Sequence, residues 1–116
     1  MLRLGIKRVY EEPGRADGTR ILVDRLWPRG LSKERARVDL WLKDIAPSTE
    51  LRKWFSHDPH KWAEFQRRYR QELKSKTDQL AILREKAAQG PVTLLYGAKD
   101  ESHNEAVVLL SLLQPK

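Results

Sequence analysis

Short blocks of alternating or helically spaced hydrophobic positions run the length of the chain, and the period of each block names an element. Leu2, Leu4 and Ile6 fall on one side, with Arg3 and Lys7 on the other, which predicts a strand over residues 2–9. Pro13, Gly14 and the Asp17-Gly18 pair then mark a loop. Ile21-Leu22-Val23 is a short apolar run of the kind found in strands buried on both faces. Ser32 can cap a short helix through Arg37, and residues 38–42 fit either a short edge strand or a helical turn. Ser48 can cap a helix in which Leu51, Trp54 and Phe55 share a face.

His57-Asp58-Pro59 breaks that helix, with Asp58 as a cap and Pro59 suited to a first turn. Trp62, Phe65, Tyr69 and Leu73 line one face of the next helix, with Arg67, Arg68, Arg70 and Lys74 elsewhere on it. Thr77 can cap a further helix that turns Leu80, Leu83 and Ala87 inward and stops at Gly90-Pro91. Residues 92–96 give a second buried-strand signal, and a polar loop leads to an apolar closing helix over 104–113. Strands separated by helical segments need crossover connections. The expected fold is α/β: a small three-layer sandwich, with a short, mostly parallel sheet of three or four strands flanked by helices.

The 116 residues are expected to form a single domain, 1–116, since 40% are hydrophobic and the length is short for two cores. No run approaches the ~20 apolar residues needed to span a bilayer. Arg3, Lys7 and Arg8 sit where a signal peptide would be apolar, so a cytoplasmic protein is expected. The chain has no cysteine, which excludes disulfides, cysteine-ligated metal and a thiol nucleophile. The net charge is +7, with +5 on residues 1–37, +3 on 38–77 and −1 on 78–116. Such a basic protein suits anionic partners: a phosphorylated small molecule, a nucleotide, or nucleic acid. It equally suits a solvated basic surface.

Ligands of open α/β sheets bind beyond the carboxyl ends of the strands. That rule selects Arg8-Val9-Tyr10, residues 24–30 and residues 96–104. In the second group, Asp24, Arg25, Trp27 and Arg29 combine one carboxylate, two guanidiniums and an indole. The arginines suit an anion, Trp27 a flat group, and Asp24 a proton-transfer role. The same residues could form a structural corner, with Asp24 paired to Arg25 or Arg29. In the third group, Tyr96, His103 and Asn104 stand at a strand-to-helix junction. A helix N-terminus disfavours the imidazolium, so a neutral His103 could act as base or donor. Capping of the last helix by Asp100, Ser102 or His103 is the plainer alternative.

His57, Asp58 and His60 lack the spacing of a helical metal pair, and a capped loop break accounts for them. Nothing in the sequence names a cofactor: no phosphate loop, G-x-G-x-x-G or H-E-x-x-H is present. The basic helix 62–73 could lie on a phosphate backbone, although its aromatics keep the spacing of core residues.

Several blocks together resemble one family. They are residues 6–10, the Asp24-Arg25-Leu26-Trp27-Pro28-Arg29-Gly30 run with its flanks, residues 46–55, His57-Asp58-Pro59, Phe65 with Tyr69, residues 93–96, and His103-Asn104. This pattern is similar to the YeaO-like family, a branch of the group named domain of unknown function 488. The resemblance implies a small cytoplasmic bacterial-type protein with an α/β fold and implies no known reaction. The wider group carries cysteines near the last strand, where this chain has Tyr96 and His103-Asn104, so a thiol-dependent role does not transfer. The family blocks fall on the strand ends that the sheet rule selects. Asp24 and His103 are therefore the expected catalytic groups, and Arg25, Trp27, Arg29, Tyr96 and Asn104 the expected binding groups. His57 and Asp58 join them from a facing loop. The expected function is anion binding at the strand carboxyl ends, in an enzyme acting on a phosphorylated small molecule or nucleotide; the alternative is a nucleotide- or nucleic-acid-binding module without catalysis.

Overall fold

In the computed structural model, which describes residues 3–114, the sheet is built around the strand Val92–Tyr96. All five of its residues are buried. Leu4–Arg8 (β1) flanks it on one side and Thr19–Leu22 (β2) on the other, and Leu40–Trp41 (β3) pairs outside β2. With Val92–Tyr96 as β4, the order is β1-β4-β2-β3, and every pairing is parallel. Of residues 38–42, Leu40–Trp41 thus resolve as a short edge strand. Leu2, at the start of the expected first strand, lies outside the described residues.

The helices are Lys33–Ala36 (α1), Thr49–Phe55 (α2), Trp62–Leu73 (α3), Thr77–Gln89 (α4) and Glu105–Leu113 (α5). The Oγ atoms of Ser32 and Ser48 accept N–H bonds from Arg35 and Leu51 at 3.1 Å, which sets the starts of α1 and α2. Asp58 caps a single 3-10 turn, Pro59–Lys61, that runs into α3. Thr77 does not cap α4. It lies inside the helix, and Lys76 before it makes no side-chain cap, because the 3-10-like bonds closing α3 already lead the chain into the next turn. Among the described residues no helix is long and apolar enough to cross a membrane.

The layers on the two faces of the sheet are unequal. Ile21, Val23, Val92, Leu94 and Tyr96 face a large core filled from α2 to α5, including Phe55, Phe65, Tyr69, Leu83 and Leu109. Phe55 and Phe65 stack with ring centroids 4.3 Å apart. The other face carries a smaller cluster, in which Val9, Leu22 and Leu95 meet Ala36 of α1 and the half-buried Trp27. Four helical residues cannot cover a sheet, and polar groups complete that layer. Buried Arg20 gives its guanidinium to the Asp17 carboxylate and to the carbonyls of Ala36 and Arg37. Lys7 reaches the same carboxylate at 2.8 Å, and Thr93 donates to the Asp17 carbonyl. Gly18 makes the turn possible: its φ is +64°, and a Cβ there would sit 2.2 Å from the Pro91 carbonyl oxygen.

Burial alone would raise the Asp17 carboxyl, but Lys7, the Gly14 N–H and Arg20 together hold it below the usual carboxylate range. The contribution of Asp17 to stability is therefore present at neutral pH and is lost as pH falls through its lowered value. Asp17→Asn leaves Arg20 buried without its counter-charge. The expected cost is about 3–5 kcal/mol in urea unfolding at pH 7. A midpoint equal to wild type would show that the carbonyls alone satisfy Arg20.

Candidate functional site

Because the strands are parallel, their carboxyl ends open on one edge of the sheet, and a cleft lined by residues of all three selected strand ends lies there. It has a volume of about 290 Å³. β2 runs out into Asp24, Arg25, Leu26, Trp27 and Pro28 on its wall, and β4 into Gly97 and Ala98. The start of α5 adds His103, Asn104 and Glu105. Ala46, Pro47, Arg52, Phe55 and His57 come from the segment around α2, and Phe65 from α3.

Asp24 is held at several points. Its Oδ2 accepts the Gly97 N–H at 2.8 Å, joining the ends of β2 and β4, and its carbonyl accepts the Trp41 indole N–H at 2.7 Å. Neither of the expected pairs with Arg25 or Arg29 is among the ion pairs of the described residues. The partner of Asp24 is a second acid: its carboxyl shares a side-chain hydrogen bond with Glu105, the first residue of α5. Burial, then repulsion from Asp24, then that bond push the Glu105 carboxyl well above the usual carboxylate range. The sequence offered no reason to single out Glu105, since an acid in the first turn of a helix is an ordinary choice.

Arg25 is anchored through its guanidinium to the carbonyls of Ala46 (3.2 Å) and Pro47 (3.4 Å). Lys76 donates to the same Ala46 carbonyl. Burial, opposed by nearby Glu72 and reinforced by Arg25, lowers the Lys76 ammonium below its ordinary value. Trp27 donates its indole N–H to the Leu31 carbonyl and meets Trp41 edge-on, with centroids 5.5 Å apart. The Nδ1 of His103 lies 2.8 Å from Asp100, which leaves Nε2 for a ligand. The Ser102 N–H and then His103 hold Asp100 below the usual carboxylate range. Neighbouring left-handed residues, Ser56 (φ 45°) and His57 (φ 56°), turn the chain after α2 at the cleft.

The cleft therefore brings together Asp24, Arg25, Trp27, His57, His103 and Asn104 from the expected set. Arg29, Tyr96 and Asp58 are not in its lining. Arg29 is exposed, and its carbonyl accepts the Tyr10 hydroxyl. Tyr96 lies beneath the site, hydrogen-bonded to the Asn104 side chain, and burial followed by nearby Glu101 and Glu11 raises its hydroxyl. Asn104 itself caps α5 through the Val107 N–H, so the cap falls on Asn104 and not on Asp100, Ser102 or His103. Asp58 is spent on its own cap at the His60 N–H. Among the described residues no group of three or more His, Asp or Glu could hold a metal ion. On α3, Arg67 and Arg68 both clasp Glu64, holding its carboxyl at about 2, and Arg70 donates to Ser111.

Glu105 sets a pH signature. A carboxyl raised in the folded state stabilises most below its unfolded value and loses that contribution as pH rises through its folded value. Glu105→Gln should therefore gain on wild type in thermal stability between pH 5 and pH 8. A difference that stays constant across that range would mean that Glu105 is ionised like an exposed acid.

Comparison with known proteins places these features in a family. Residues 3–116 match the family described as "Inactive DUF488-N3 subclade". The uncharacterized protein YeaO of Escherichia coli (strain K12) is 43% identical over 113 residues, covering 97% of this chain and 98% of its own. The uncharacterized protein Rv3073c of Mycobacterium tuberculosis (strain ATCC 25618 / H37Rv) is 42% identical over 111 residues, covering 96% of this chain and 93% of its own. No solved structure matches. The chain belongs to the inactive DUF488-N3 subclade, with YeaO among its relatives.

Proposed function

We propose that this protein binds a phosphorylated small molecule of nucleotide type in the cleft at the strand ends and does so without catalysis. The observation that carries this reading is the pair of arginines in the cleft. Among the described residues, ion pairs engage Lys7, Arg20, Arg67, Arg68 and His103, and neither Arg25 nor Arg52 is in that set. Both line the cleft, and carbonyls fix Arg25 without neutralising it. A guanidinium held that way keeps its charge for a phosphate and loses little freedom on binding. The volume is at the small end of ligand pockets, which suits one nucleotide better than a polymer.

Two further points support binding without turnover. The lining contains no serine, threonine or cysteine that could serve as nucleophile. The family itself is described as inactive. A second reading, an enzyme on the same class of ligand, draws on the Asp24–Glu105 pair and His103, which could move protons within the one cleft.

The test is a thermal-shift series at fixed moderate salt with inorganic phosphate, nucleoside monophosphates and short RNA and DNA. A ligand at 100 times its Kd adds about 2.7 kcal/mol, a shift of several degrees for a chain of this size. Wild type should respond to mononucleotides, and Arg25→Ala should lose that response while keeping its fold. A shift with polynucleotide alone, vanishing as salt is raised, would replace the small-ligand reading with nucleic-acid binding. Consumption of the bound nucleotide would replace it with the enzyme.

A further inference from the structure

The Asp24–Glu105 pair contributes nothing to holding a phosphate. It puts acid into a cleft whose other charged wall is basic, and it is too well built for an accident of packing. Asp24 is pinned by the Gly97 N–H and through its carbonyl by Trp41, and Glu105 is the first residue of α5, directly after its Asn104 cap. Gly97 permits the approach, since a Cβ there would come within 3.0 Å of the Asp24 carboxylate. Around the pair stand Tyr69, whose hydroxyl is committed to the Ile45 carbonyl, and Arg25, committed to Ala46 and Pro47.

The chemistry of such a pair is directional. Both carboxyl groups line the cleft, and their oxygens that face it offer lone pairs as acceptors. A ligand group placed against it must bring donors. Adenine offers one N–H donor beside a ring acceptor, and an acceptor facing an acceptor is repelled. Guanine offers a ring N–H and an adjacent amino group. Trp27 and Phe55 in the lining give a planar ring an aromatic surface.

Resting on the phosphate-binding reading above, we infer that the cleft selects a nucleotide whose base turns two adjacent N–H donors, as guanine does, onto the acceptor face of Asp24 and Glu105, with its phosphate toward Arg25 and Arg52. A buried acceptor left without its donor makes the wrong base costly, so selection comes from the unpaired group as much as from the paired one.

The experiment is calorimetric titration of the full chain at pH 7 and fixed salt with GMP, IMP, AMP and inorganic phosphate. GMP should bind at least tenfold tighter than AMP, and IMP, which keeps the ring N–H and lacks the amino group, should fall between them. Glu105→Ala, which leaves Asp24 as the one acidic acceptor, should narrow the gap between GMP and AMP. Glu105→Gln can still donate to Asp24 and present a carbonyl outward, and should keep their order. Should Glu105→Ala not fold, the wild-type series and Glu105→Gln decide the matter. Equal affinities of wild type for GMP and AMP, with phosphate bound, would overturn the base selection and leave the anion site standing. Absence of binding by all four compounds would overturn both.

Discussion

Parallel pairing on both sides of β4 sets where every other element of the chain can go. A strand buried along its whole length and bonded in parallel to β1 and β2 sends three chain exits to the same edge of the sheet. The backbone there has left the ladder, so its amides and carbonyls need other partners. Side chains meet that need. The Gly97 N–H goes to Asp24, the carbonyls of Gly97 and Ala98 go to the Arg8 guanidinium, and the Asp24 carbonyl goes to Trp41. Polar residues gather at this edge because the fold leaves unmet hydrogen bonds there, and the cleft is the space left between them.

The two faces of the sheet solve burial differently. One is covered by four helices and has a continuous apolar core. The other has only the short α1 and two loops, and it closes over Asp17, Arg20 and Lys7. An ion pair out of water is costly unless its remaining donors and acceptors are met. Here the Arg20 guanidinium reaches Asp17, Ala36 and Arg37, and the Asp17 carboxylate reaches the Gly14 N–H as well. The network ties the β1–β2 loop to α1 and to β4, which a thin apolar layer could not do.

Charge in the cleft is divided. Arg25 and Arg52 make one part cationic, while Asp24 and Glu105 make another acidic, with aromatic rings lining the same space. The +7 of the whole chain conceals this division. On α3 the basic residues are neutralised locally by Glu64 or tied to Ser111, so net charge is a poor guide to where an anion would be held. What matters is which cations lack a carboxylate partner and are fixed by something neutral.

Period, caps and breakers were enough to place the strands β1, β2 and β4, the cores of α2, α3 and α4, and the sheet edge at which the cleft lies. These are local signals: hydrophobic period, capping residues, and glycine or proline at the breaks. Even the caps at Ser32, Ser48 and Asp58 were legible, because a cap acts within three residues of itself. Which polar groups meet was settled by long-range packing. Arg25 and Arg29 read alike in one loop, yet the path of the chain after Asp24 puts one against the 46–47 carbonyls and the other in solvent. Within residues 38–42, Leu40–Trp41 became a strand because the outer edge of β2 had bonds to give. Glu105 read as a routine first-turn acid, and the fold set it beside Asp24, on a strand end from the opposite part of the chain. Periodicity encodes what each residue faces. It carries no record of which distant residue faces it, and the meeting of Asp24 with Glu105 depends on that alone.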